Sequence, residues 1–90
     1  MLKIRYHHSF KKDYKHIKKS GLDVKKLEVV VKKLTNGEEL DEKYHVHEWT
    51  GNYRNFRECH IEPDWLLIYR IENEELTFIL SRTGTHIDLF

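Results

Sequence analysis

Ninety residues, 39% hydrophobic and 12% aromatic, suit one small domain, residues 1–90, that folds with a modest margin. A lone cysteine, Cys59, excludes an internal disulfide and suits a reducing cytoplasm; no run nears the ~18 apolar residues of a membrane span, and Met1-Leu2-Lys3-Ile4-Arg5 has no apolar leader core. The net charge of +1 is a near-cancellation: residues 1–35 carry 11 Lys/Arg against 3 Asp/Glu, and residues 36–90 carry 5 against 12.

Residues 2–6 alternate apolar and polar, which predicts a short strand. Ser9 is placed to cap a helix in which Phe10, Tyr14 and Ile17 recur at helical spacing, and Gly21 ends it. Asp23 caps a second helix with Val24, Leu27, Val31 and Leu34 on one face, stopped at Asn36-Gly37. The lysines of both helices lie mostly off the apolar stripe. They make either a solvated face or a basic face for a polyanion, nucleic acid first.

Residues 38–52 read as polar and irregular, with Leu40, Tyr44, Val46 and Trp49 as anchors. A strand then runs from about Tyr53 to His60. Glu62-Pro63-Asp64 makes a turn, because proline has no N–H to give a central ladder. Trp65 to Ile71 is a nearly continuous apolar strand, and Leu76 to Arg82 follows across a turn at 72–75. Thr83-Gly84-Thr85 breaks that strand, and 87–90 adds a short edge. The order β-α-α-β-β-β predicts an α+β fold: two helices on one face of a twisted antiparallel sheet of about four strands.

That topology gathers polar residues. Pairing Ile71 with Leu76 sets Trp65 opposite Arg82 and Asp64 opposite Thr83. The 62–63 turn returns His60 to their side, and His86 lies just past the same sheet end. A one-residue slip changes faces but not ends. Cleaving RNA through its own 2′-hydroxyl needs a base, an acid and positive charge at the phosphate. Two imidazoles supply the first two, and the planar fork of Arg82 the third. Asp64 can orient an imidazole or act as base, and Trp65 and Phe90 can stack on a base.

Each residue also has an ordinary reading. His60 and His86 are surface histidines, Arg82 pairs with Glu58 or Asp64, Trp65 is core, and Cys59 is a small buried hydrophobe. His45, His47, His60 and His86 offer enough imidazoles for zinc, but no His-x-x-x-His helix pair or paired cysteines accompany them. No metal and no cofactor is expected.

The string Phe56-Arg57-Glu58-Cys59-His60-Ile61-Glu62-Pro63-Asp64-Trp65-Leu66-Leu67-Ile68-Tyr69, with Arg82-Thr83-Gly84-Thr85-His86 and the terminal Leu89-Phe90, resembles the YafQ-type branch of the RelE/ParE superfamily of type II toxins. The resemblance covers essentially the whole chain. It implies a ribosome-dependent endoribonuclease that cuts mRNA in the A site of the 70S ribosome, against 16S rRNA, without a metal. It also implies a cognate antitoxin of ribbon-helix-helix type. By motif, catalysis falls on His47, His60, Asp64 and His86, and substrate binding on Trp65, Arg82 and Phe90. Around His47 the chain reads Val46-His47-Glu48-Trp49 where the family reads Asp-His-Pro-Leu, and His45 is a second candidate there. A gyrase-binding toxin of the same fold and an RNA-binding module with a decayed site are the alternatives.

Overall fold

The computed structural model describes residues 2–53 and 55–83, the side chain of Asn52 excepted. Strand β1 (Lys3–Tyr6) leads into helices α1 (His8–Ser20) and α2 (Val24–Thr35). Strand β2 (His47–Glu48) lies between two short 3-10 turns, and β3 (Phe56–Glu62), β4 (Trp65–Glu72) and β5 (Glu75–Thr83) complete the sheet.

The cap of α1 is His7, not Ser9. The helix begins two residues earlier than a Ser9 cap implies, and the His7 side chain accepts from Ser9 N–H. Ser9 instead donates its hydroxyl to the Ile79 carbonyl at 2.9 Å. Gly21 closes α1 at φ 84°, a left-handed bend that costs glycine least. Asp23 caps α2 as expected, accepting from Lys25 N–H at 3.1 Å. The buried residues of α2 are Leu27, Val30 and Leu34, with Val24 and Val31 at the margin of the stripe.

The sheet has five strands in the order β1-β5-β4-β3-β2, and it is mixed: β1 runs parallel to β5. The α+β class with two helices on a sheet is as expected, whereas the antiparallel sheet of about four strands is corrected. Tight turns dictate antiparallel neighbours, but β1 meets β5 across most of the chain, where no turn sets direction. β2 is only two residues long, too short to leave a period in the stretch read as irregular.

The β4–β5 register is corrected as well. From Glu72↔Glu75 to Tyr69↔Phe78 the pairing is as anticipated; a bulge at Ile79 then shifts it by one, giving Ile68↔Leu80, Leu66↔Arg82 and Trp65↔Thr83. Two residues of β5 oppose one step of β4, and the strand phase flips. Phe78 therefore packs toward the helices, while Ile79 and Leu80 join Ile68 on the opposite face under Trp49 and Phe56. Ser81, opposite Leu67, returns to the helix side. The main core between helices and sheet is built on Phe10, Leu27, Trp65, Leu67, Tyr69 and Phe78.

Candidate active site

In β3, Cys59 and Ile61 turn into the helix-side core, so His60 takes the opposite face of the strand. Pairing of His47 with Glu58 puts His47 diagonal to His60 on that same face. The register, carried two residues further, brings His45 opposite His60. A 3-10 turn (Glu42–Tyr44) fixes the approach: Asp41 caps it by accepting from Lys43 N–H at 3.0 Å, and buried Tyr44 anchors it. His45 then bends at φ 46°, a left-handed conformation uncommon for a side-chain-bearing residue. The His45 and His60 rings stand edge-on with centroids 6.1 Å apart, and those of His47 and His60 are 6.5 Å apart.

One contact fixes the chemistry of His60. Its Nδ1 lies 3.1 Å from the Pro63 carbonyl oxygen. A carbonyl only accepts, so the neutral ring carries its proton on Nδ1 and leaves the Nε2 lone pair free. Pro63 and Asp64 are the two residues between the paired Glu62 and Trp65, a tight hairpin turn in which proline's missing N–H costs no ladder bond.

Three hollows adjoin along this end of the sheet. The first, about 610 Å³, is lined by His45, His47, His60, Lys26 and Lys43 among others. Glu62 and Pro63 form its wall with a second, about 570 Å³, that holds Asp64, Trp65 and Thr83. Ser20, Leu22 and Thr83 in turn separate the second from a third, about 240 Å³, that holds Asp13, His16 and Arg82. His60, Asp64 and Arg82 thus share one sheet end but occupy successive compartments rather than one pocket. His86 and Phe90 lie outside the described residues.

Arg82 does not pair with Glu58 or Asp64. Its Nε lies 3.3 Å from both carboxylate oxygens of Asp13 on α1, and Asp13 Oδ2 also accepts from Ser81 N–H at 3.0 Å. Trp65 is 1% exposed and donates its indole N–H to Ser81 Oγ at 2.8 Å, so its ring belongs to the core floor beneath the turn. Sequence reading missed Asp13 and Lys26. Asp13 had a signal, being the single acid in α1. Lys26 reaches Glu62 at 2.8 Å, and that hydrogen bond raises its pKa.

Cys59 sits beside His60 in sequence but behind it in space. Burial, assisted by the Glu58 charge, pushes its thiol up to about 12, which removes it as a nucleophile near neutral pH. Burial likewise raises Tyr69. Among the described residues no group of three or more His, Cys, Asp or Glu is arranged to hold a metal ion. No helix among them is long and apolar enough to cross a membrane.

Residues 2–90 match the family described as the bacterial toxin of type II toxin-antitoxin system, YafQ. The chain is 38% identical over 88 residues to the mRNA interferase toxin YafQ of Escherichia coli K12, covering 97% of this chain and 94% of the relative. The E. coli DinJ-YafQ complex contains a chain similar in structure, with TM-score 0.86 and 32% identity over 92% of this chain and 93% of that one. A metal-bound toxin from Helicobacter pylori is similar at TM-score 0.83 and 37% identity, over 94% of this chain and 97% of that one.

Proposed function

The chain belongs to the YafQ family of type II toxins, mRNA interferases, and from that premise we propose that it cuts mRNA in the ribosomal A site by metal-independent acid–base chemistry. The observation that carries this reading is His60, tethered through Nδ1 with Nε2 free and flanked by two further imidazoles. Nε2 takes the proton of the 2′-hydroxyl, and the resulting alkoxide attacks the adjacent phosphorus. The bond to the 5′ oxygen breaks, and a protonated imidazole supplies the proton that oxygen needs. His86 is the donor in this reading, by the family motif. His47 completes the imidazole set. Asp64, one hollow away, steadies the charge of an imidazolium.

Arg82 grips the phosphate as its charge redistributes, with Asp13 fixing its direction through Nε. Phe90 stacks on a nucleobase. Trp65 serves from beneath, holding Ser81 and the turn. The three adjoining hollows give an RNA strand a path across the strand ends. The lysine-rich first third meets 16S rRNA, where local charge outweighs the net. A cognate antitoxin, of ribbon-helix-helix type, holds the toxin inactive in the cytoplasm.

The test is cleavage of mRNA bound to 70S ribosomes with EDTA present. The wild type cuts; His60→Ala, Asp64→Ala and His86→Ala stay folded and lose roughly 100-fold or more in rate. Cleavage that needs added metal, or that survives all three substitutions, overturns the assignment.

A further inference from the structure

We propose that His45 is a phosphate-binding residue of this site, donating a ring N–H to the RNA backbone and bracketing the reacting phosphodiester with His60. The inference rests on the endonuclease reading and adds to it a residue that the family motif leaves out. Three observations carry it.

The first is position. Of the two loop histidines, His45 is the nearer to His60, at 6.1 Å against 6.5 Å, and it meets that ring edge-on. At that spacing an N–H of His45 can reach an oxygen of a phosphate whose neighbouring 2′-hydroxyl lies on His60 Nε2. His60 has no N–H to give that phosphate, since Nδ1–H is tethered and Nε2 serves as the base, so the donor has to come from a neighbour.

The second is backbone. His45 holds φ 46° directly after the 3-10 turn, with its N–H bonded to the Glu42 carbonyl. Glycine would take that bend at less cost. A bulky residue kept in a disfavoured bend beside a candidate site points from outlier to function.

The third is charge. The groups lining the same hollow are Lys26 from α2, Lys43 from the 3-10 turn, His47 from β2, and His60 and Glu62 from β3. The Glu62 carboxylate is bonded to Lys26 at 2.8 Å, which offsets the one anion there with the nearer ammonium. Lys43, parked over the Tyr44 ring at 5.2 Å, keeps its charge at the rim. The hollow is therefore built for an anion, and His45 stands between that rim and His60.

The experiment follows single-turnover cleavage of ribosome-bound mRNA from pH 5.5 to 9 for the wild type, His45→Ala, His45→Lys and His45→Gly. His45→Ala is expected to lose roughly 100-fold at neutral pH, as for removal of one preorganised donor. His45→Lys keeps a cationic donor, so it recovers to within about tenfold of wild type. His45→Gly relieves the bend and so raises thermal stability, yet it cleaves as poorly as His45→Ala. In parallel, inorganic phosphate titrated into the free protein shifts the His45 and His60 ring signals together. A wild type that fails to cleave sinks the endonuclease reading itself. A cleaving wild type with an unaffected His45→Ala, or with no rescue by lysine, overturns the role of His45 and leaves that reading standing.

Discussion

Asp13→Ala should destabilise the protein far more than an exposed ion pair would suggest. The carboxylate serves two donors at once, Ser81 N–H at 3.0 Å and Arg82 Nε at 3.3 Å. Ser81 is 1% exposed, so truncation leaves a buried backbone donor without an acceptor, at a cost of about 1–3 kcal/mol. The Arg82 side chain is 43% exposed against 13% for Asp13, and solvent screening holds that pair to at most about 1 kcal/mol. The sum is about 1–4 kcal/mol, which for a domain of this size lowers Tm by roughly 5–30 °C. Asp13→Asn keeps an acceptor oxygen for Ser81 N–H and should cost about 1 kcal/mol. Urea and thermal unfolding followed by circular dichroism measure both variants, alone and combined with Arg82→Ala. If the cost of Asp13→Ala vanishes once Arg82 is gone, the backbone donor is not the main term and the reasoning fails.

Cys59 should resist thiol reagents in the folded state at pH 8 and react on unfolding. Its folded pKa of about 12 exceeds the unfolded value, so its contribution is complete below about pH 8.5 and drains by about 1.4 kcal/mol per unit as pH rises toward 12. Unfolding free energies at pH 8, 9.5 and 10.5 should fall less steeply for Cys59→Ala than for wild type; equal slopes would refute the assignment. Gly21→Ala should cost about 1 kcal/mol through backbone alone, since φ is 84° and nothing lies within 4 Å of the added methyl; a neutral result in urea titration would contradict this. Trp65→Phe strands the Ser81 hydroxyl and should cost about 1–3 kcal/mol, while cleavage per folded molecule changes little. A large loss of turnover at unchanged stability would return Trp65 to the substrate.

What was legible in the chain was whatever local chemistry decides. Gly21 and Asp23 bracket the two helices, and Pro63 at a tight turn forces β3 and β4 to be antiparallel neighbours. Convergence of His60, Asp64 and Arg82 on one sheet end follows from those turns and survives a register error. The error itself was not legible. Phe78, Ile79 and Leu80 are all buried, and an unbroken apolar run carries no phase from which to read a bulge. The partner of Arg82 was hidden for another reason: Asp13 lies 69 residues away and reaches it only because α1 packs over β5. The crowding of His45 and His47 on His60 depends on a two-residue strand, too little for any pattern to register.

The short reach of β1 has a consequence for how the molecule behaves among its own copies. β1 pairs with β5 only from Glu75 to Phe78, so beyond Phe78 no second strand among the described residues flanks β5 on the side away from β4. Such a margin ordinarily invites a foreign strand to zip on, the first step of domain exchange or fibril growth. Here α1 occupies the margin with side chains: the Ser9 hydroxyl takes the Ile79 carbonyl, and the Asp13 carboxylate takes the Ser81 amide. Two polar side chains on one helix replace a strand's worth of bonding, so an incoming chain finds that margin already bonded along its ladder positions. The contact that steers Arg82 is thereby also a guard against self-association.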